Sequence, residues 1–473
     1  MKSKKLQEKP VPARASRQTW QEYQAALKRR NTRRQRARGI TRWGVLLLVL
    51  AASFYGLSAG IDGFSSTPTA PPKPRPAGME PDGLQKKNTD PSGLNLRPDQ
   101  GLALWHTAAL PRKIQPEWRF AKDGKEYLVQ TTLNPFLQAY LDDKLDRELP
   151  KQVAIVVLEP STGRILALAG YDRVNPENNP CLESEFPAAS IFKIIIASAV
   201  VEARGFTPET PLYYNGGKYT LYKSQLKNKK NKYTRRITLK SSFAQSVNPV
   251  FGKLGIYHLD MSQIENYARA FGFEKPIEFE LGKSLSRLFV SAEPYHRAEI
   301  ASGFNRKTTL SPVHGALIAA TALNGGKLMA PTFIRRVTNG RGETIYRSRP
   351  SEIGQAVTPK TASVLAELMQ ATVRSGTARK AFRGYRYDKV LSDLVIGGKT
   401  GSISNLAHTS KYDWFVGFAR DKTGGDGIAV SVLVVHGNVL GRRAGSYAKM
   451  AIKAYYEDSF SQKSVASGKS ERS

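Results

Sequence analysis

An uncharged run of eighteen residues, GVLLLVLAASFYGLSAGI from Gly44 to Ile61, constrains this chain more than any other feature. Bounded by Arg42 and Asp62, it is just long enough for a helix rising about 1.5 Å per residue to cross a hydrocarbon core of roughly 30 Å. A cleaved signal peptide is the rival reading, but its basic head is short, whereas here basic sequence extends from the start of the chain to Arg42. The Lys and Arg residues before the run, among them Lys28-Arg29-Arg30 and Arg33-Arg34, hold that segment in the cytoplasm. The sequence therefore predicts a basic cytoplasmic tail over 1–42 and a single-pass anchor over 43–62 in the cytoplasmic (inner) membrane. Everything after Asp62 is expected on the periplasmic or extracellular side.

Charge sets a second bound. Seventy-two Lys and Arg against 39 Asp and Glu give +33, which calls for an anionic neighbour: nucleic acid, a membrane surface or an acidic polymer. Nucleic acid is excluded as a partner because its motifs are missing: there is no zinc-ligand cluster, no aromatic ribonucleoprotein pattern and no recognition helix. A second basic block, Lys227 to Arg236, falls inside the globular region and reads either as a solvated loop or as a contact for an anionic polymer or lipid head groups. The lone cysteine, Cys181, excludes an intrachain disulfide, and six scattered histidines without HExxH give no catalytic zinc.

Beyond the anchor, residues 63–125 read as a Pro-rich spacer and juxtadomain segment, because SSTPTAPPKPRPAGMEPDG supports neither helix nor central strand. From Glu126 the pattern turns globular. Asn134 to Leu149 has apolar residues at helical spacing, and Val153–Leu158 and Ile165–Ala169 flank the turn Pro160-Ser161-Thr162-Gly163 as a hairpin. Helices are expected over 188–203, ended by Gly205, and around 239–254, 261–271, 312–323 and 359–374. A second hairpin over 414–419 and 428–435 and a closing helix over 447–456 complete an α+β domain spanning 126–458, whose antiparallel sheet joins its two ends and is flanked by helices. Residues 459–473 read as a disordered C-terminal tail.

Three short motifs follow one another: Ser190-Ile191-Phe192-Lys193, Ser246-Val247-Asn248 and Lys399-Thr400-Gly401-Ser402. Each has decoys, Ser224–Lys227 and Ser446–Lys449 for the first and Lys422-Thr423-Gly424 for the third. Context separates them. Ser190 opens an apolar helix, so Lys193 lies one turn on along the same face. Desolvated among Ile194, Ile195 and Ile196, its amine can lose its charge and take the serine proton. The helix N-terminus favours the oxyanion that forms. Ser224 sits in a lysine-rich polar stretch, and Lys422 in a turn between strands. Gly397-Gly398 ahead of Lys399 are expected to let a substrate approach the strand edge closely. Lys399 and Thr400 can then meet its carboxylate, and the Ser402 N–H can complete an oxyanion hole.

In this order the motifs resemble those of the penicillin-binding transpeptidase domain. The likeness extends through AIVVLEPSTGRILALAG, FPAASIFKI, ITLKSSFAQSVNPVFGKLG, LSPVHGALIAATALNGGKLMAP, SGTARKAF, GGKTGS and DWFVGFA. The resemblance implies the penicillin-binding (β-lactamase-like) fold and a membrane-anchored D,D-transpeptidase that cross-links peptidoglycan stem peptides. By that resemblance Ser190 is the nucleophile and Lys193 its base, with Ser246 and Asn248 relaying protons and holding the substrate amide. Lys399, Thr400, Gly401 and Ser402 bind substrate. β-Lactams would acylate the same serine, and no metal or organic cofactor is implied. The cytoplasmic membrane and cell-division or elongation proteins are the further partners it suggests. D,D-carboxypeptidation and a catalytically silent cell-wall scaffold are the alternatives; Asn248 stands against the β-lactamase and sensor branch, which usually has SxV.

Overall fold

The computed structural model describes residues 114–425 and 427–470. The expected tail, anchor and most of the spacer lie outside these residues, and no helix among the described residues is long and apolar enough to cross a membrane. The described chain begins with a hairpin, β1 (Glu117–Lys122) and β2 (Lys125–Thr131). The end of the expected spacer is therefore already folded: β1 pairs residue for residue with β2.

Strands β3 (Pro150–Leu158) and β4 (Ile165–Asp172) form the expected first hairpin. Three short pairs follow: β5 (Pro211–Tyr214) with β6 (Arg235–Thr238), β7 (Ile277–Phe279) with β8 (Gly282–Ser284), and β9 (Lys327–Met329) with β12 (Glu352–Gln355). Between the last two, β10 (Ile334–Asn339) and β11 (Thr344–Arg347) join the opening hairpin as a four-stranded sheet in the order β1-β2-β10-β11. Finally β13 (Leu394–Ser404), β14 (Lys411–Asp421) and β15 (Ile428–His436) complete the main sheet, β13-β14-β15-β3-β4, antiparallel throughout. The early hairpin and the late strands thus share one sheet, as the pattern of strands at both ends of the domain requires.

Burial explains why β3 and β15 read as unbroken apolar runs instead of alternating ones. Successive side chains of a strand point to opposite faces, and here both faces are covered. Ala154, Val156 and Leu158 face one core with Ile194, Ile195, Leu317 and Trp414. Val153, Ile155 and Val157 face the other with Leu137, Leu141, Tyr447 and Ile452. The second core is closed by the helices Pro135–Lys144 and Ala444–Ser470. That last helix runs past the expected boundary at 458, so residues 459–470 are helical and not a disordered tail. Its start is fixed by buried Asp413, which takes two bonds from the Arg443 guanidinium and one from the Ala444 N–H.

Two local expectations change. The single helix expected over 239–254 is two, Leu239–Ala244 and Asn248–Tyr257. Pro249 explains the break: it has no N–H to donate back into a preceding turn, so it stands in the first turn of a new helix. Between the two, Ser246 takes a left-handed φ of 55°, a conformation that costs a non-glycine residue on the order of 1 kcal/mol or more. The helix expected from 188 opens instead as a tight 3-10 turn, Ala189–Phe192, before the α-helix Lys193–Arg204, which Gly205 ends at φ 64° as expected. Cys181 is fully buried, and burial pushes its thiol pKa up, so it stays an unreactive thiol.

Candidate active site

The 3-10 turn determines how the first motif presents itself. With three residues per turn, i and i+3 eclipse, so Lys193 stands directly over Ser190, its Nζ 2.8 Å from Ser190 Oγ. Lys193 is completely buried. Its Nζ also donates to Asn248 Oδ1 at 2.8 Å and to the Ser302 carbonyl, and the Phe251 ring lies 5.5 Å from it. Asn248 is held in turn by an Nδ2 donation to the Tyr219 carbonyl at 3.1 Å.

These partners define what the amine can do. Asn248 Oδ1 and the Ser302 carbonyl can only accept. A neutral amine carries two N–H groups and one lone pair; those acceptors consume both N–H groups and leave the lone pair for Ser190 Oγ. Burial holds the Lys193 pKa well below its ordinary value, and the charge of Lys399 depresses it further. Desolvation was expected from the three isoleucines that follow, and it is complete.

The left-handed turn at Ser246 carries the middle motif between the other two. Ser246 Oγ accepts from Lys399 Nζ at 2.9 Å, while Asn248 two residues on meets Lys193. A regular helix through 239–254 could not place these two side chains on two different lysines in this way. Lys399, also fully buried, donates to the Thr400 carbonyl at 2.9 Å, and its Nζ lies 5.6 Å from the Phe243 ring. Burial lowers its pKa to about 7. Among the described residues neither lysine forms an ion pair with a carboxylate.

Glycine has a specific use in the third motif. A Cβ on Gly401 would sit 3.3 Å from Ile191 and 3.4 Å from the Ala189 Cβ, so its absence lets β13 lie against the Ser190 turn. That turn is strained at its entry, where Ala189 has φ 50°, and Gly303 packs so tightly beneath it that a Cβ there would fall 2.0 Å from the Ala189 carbonyl. The Trp414 indole ties β14 to the same loop by donating to the Pro187 carbonyl at 3.0 Å. Gly397 and Gly398 lie on β13, the edge strand of the main sheet, and they also make room for the Phe418 and Phe415 rings of the neighbouring strand, which a Cβ would meet at 2.5 and 2.4 Å.

The structure therefore brings Ser190, Lys193 and Asn248 into one hydrogen-bonded group and Ser246 and Lys399 into a second, and the turn from Ser246 to Asn248 joins the two. Thr400 stands beside them, half-buried, and Ser402 is exposed on the same strand. The decoys stay out: Ser224 and Lys227 are exposed, Lys422 and Thr423 sit in the turn before β15, and Lys449 donates to the Arg383 carbonyl. Two contributors were missed from sequence. Thr377 shares a 2.5 Å hydrogen bond between its Oγ1 and that of Thr400, and the Ser302 carbonyl faces Lys193. Thr377 lies in the SGTARKAF segment, and its role needed only the question of what holds Thr400. A main-chain carbonyl leaves no trace in sequence.

A serine hydroxyl facing a buried amine of depressed pKa on its own turn is the apparatus of a serine acyltransferase. The comparison with known proteins narrows this: residues 153–457 match the penicillin binding protein transpeptidase domain, and the chain belongs to that family. It is 26% identical over 355 residues to the peptidoglycan D,D-transpeptidase PbpA of Mycolicibacterium smegmatis, covering 67% of this chain and 69% of that one. Over 285 residues it is 28% identical to penicillin-binding protein 1A of Neisseria lactamica, covering 57% of this chain and 31% of the relative. Among solved structures it resembles the ceftriaxone acyl-enzyme complex of penicillin-binding protein A from M. tuberculosis, with 26% identity, a TM-score of 0.57 and coverage of 70% and 79% of the two chains. The D,D-transpeptidase domain from Eggerthella lenta gives 25%, 0.57, 70% and 83%.

Proposed function

We propose that this chain is a serine D,D-transpeptidase that cross-links peptidoglycan stem peptides through an acyl-enzyme on Ser190, and that β-lactams acylate the same oxygen. The hydrogen-bond inventory of Lys193 carries the reading: its Nζ meets Ser190 Oγ at 2.8 Å and two acceptors, and in the neutral amine those acceptors take both N–H groups and leave the lone pair for Ser190. In the first step Lys193 takes the hydroxyl proton as Oγ attacks the carbonyl of the penultimate D-alanine. The C–N bond then breaks, and the proton passes to the leaving D-alanine amine. Ser246, bonded to Lys399, would relay that proton. Asn248 holds Lys193 in place, and the N–H of its amide that Tyr219 leaves free would hold the substrate backbone. Lys399 and Thr400, the latter braced by Thr377, bind the terminal carboxylate. Gly401 keeps the strand close, and the Ser402 N–H contributes to the oxyanion hole. In the second half-reaction an acceptor amine attacks the acyl-enzyme carbonyl, the ester C–Oγ bond breaks, and the amine's proton returns to Ser190 Oγ through Lys193.

The anchor over 43–62 and the basic tail before it belong to the same proposal. They would tether the domain over 126–458 to the outer face of the cytoplasmic membrane, where the wall substrate lies. Labelling with a fluorescent penicillin tests the core of the reading. The wild-type chain should form a covalent adduct and Ser190→Ala none; a wild-type chain that stays dark at every concentration defeats it and leaves the scaffold alternative. Incubation with a lipid-linked disaccharide-peptide separates cross-linked dimers, expected here, from released alanine alone, which would make the chain a carboxypeptidase.

A further inference from the structure

On the four-stranded sheet, among residues that take no part in the hydrogen-bonded groups at Ser190, lies a cavity of about 460 Å³ lined by Arg164, Arg335, Arg336, Arg347 and Arg349. None of the residues lining it carries a carboxylate. Arg164 is already satisfied, its fork closed on buried Glu159 at 2.8 to 3.0 Å. Arg336 donates only to the neutral Gln130 amide, at 3.1 Å. Among the described residues Arg335, Arg336, Arg347 and Arg349 form no ion pair with a carboxylate. Four guanidinium charges therefore share one concavity with no carboxylate among the described residues to pair with them.

The backbone is arranged to gather them. Adjacent residues of a strand normally point to opposite faces, yet Arg335 and Arg336 line the same cavity. A bulge in β10 accounts for it: Ile334 pairs with Thr131 and Arg336 with the next residue, Gln130, leaving Arg335 as the extra residue. Across the ladder Arg336 stands directly opposite Arg347, a pairing of like charges that works against the sheet. Such an arrangement is favourable only with an anion between the two. Guanidinium forks match the paired oxygens of a phosphate, and four of them exceed what one carboxylate can neutralise.

We infer that this cavity is a binding site for a phosphate-bearing polyanion, recognised through its phosphodiester or pyrophosphate groups. Binding holds the domain near that anion without touching the acylation chemistry.

The test uses the full chain and three probes: inorganic pyrophosphate, a soluble poly(glycerol phosphate), and phosphatidylglycerol vesicles against phosphatidylcholine ones. The triple variant Arg335→Gln, Arg347→Gln, Arg349→Gln is compared with a variant of equal charge loss in the basic loop, Lys227→Gln, Lys229→Gln, Lys230→Gln. Calorimetric titration with pyrophosphate should weaken about tenfold in the arginine variant and change little in the lysine variant. Both should label with fluorescent penicillin as the parent does, which shows that they are folded. A loss confined to vesicles identifies a lipid headgroup as the source, and a loss on the soluble polymer identifies a wall or free polyanion. Equal weakening in the two variants, or an arginine variant that binds every probe as the parent does, overturns the site and leaves only diffuse charge.

Discussion

Two clusters of positive side chains in this molecule are built on opposite plans. At the acylation site, Lys193 and Lys399 are fully buried and have no carboxylate beside them. In the cavity by β10 and β11, four arginines without carboxylate partners stand at the surface, Arg335, Arg347 and Arg349 of them exposed. The difference lies in what each side chain can do when its charge is costly. A buried lysine can shed its proton, which makes Lys193 a base, whereas Lys399 binds a carboxylate only while it keeps its charge. An arginine never sheds its proton, so it can be gathered only where water or an anion compensates it. Residue type thus separates a cluster built for chemistry from one built for holding.

Exchanging the residue types breaks the comparison most severely at Lys193. Lys193→Arg keeps a cation near Ser190 but abolishes the lone pair, so acylation by penicillin should slow by about 10³-fold, measured as the rate of adduct formation. Lys193→Met should lose as much activity and melt a few degrees lower, because the buried Asn248 Oδ1 and Ser302 carbonyl lose their donor. An arginine variant that acylated at the parental rate would show that Lys193 is not the base.

The next test uses the different depression of the two lysines. Lys193 must be uncharged for acylation, so kcat/KM should rise as pH climbs through its depressed pKa. Lys399 must be charged to hold a carboxylate, so the same profile should fall as pH passes about 7. Lys399→Gln should lower the plateau about tenfold and remove the falling limb. It should also move the rising limb to higher pH, since the charge of Lys399 is one of the causes that depress Lys193. A falling limb that persists in Lys399→Gln would assign it to another group. A smaller effect is expected from Thr377→Val, which frees Thr400 while leaving both lysines in place. Here KM for a peptide substrate should rise about threefold with kcat little changed.

How much of this could be read in advance follows the same division. The buried lysine at 193 was legible because three isoleucines follow it and a serine stands one turn before it. The five-stranded sheet was legible from two apolar hairpins far apart in the chain. The break at Ser246 was not, because the residues from Leu239 to Leu254 have helical periodicity throughout and only Pro249 disturbs it. The Phe418 and Phe415 rings packed against Gly397 and Gly398 were not legible, since a glycine reports that something comes close without saying what. The arginine cavity was invisible for another reason. Arg164 is 171 residues from Arg335 in sequence (335 minus 164), and the bulge that turns Arg335 and Arg336 to one side has no sequence mark.

The mildest exchange tests the surface cluster by the same rule. Arg335→Lys together with Arg349→Lys preserves every charge at the cavity but replaces two planar forks with point charges. If the site reads phosphate geometry, pyrophosphate affinity should fall about threefold although the net charge is unchanged, and the fall should shrink little at higher salt. If the cluster acts only as a patch of positive potential, the lysine variant should bind like the parent, and affinity should fall steeply with salt in both. Exposed side chains of either type tolerate the exchange without cost to folding, so melting temperature should stay within about 1 °C of the parent. That contrasts with Lys193, where no exchange is neutral, because there the side chain has to give up its charge to function.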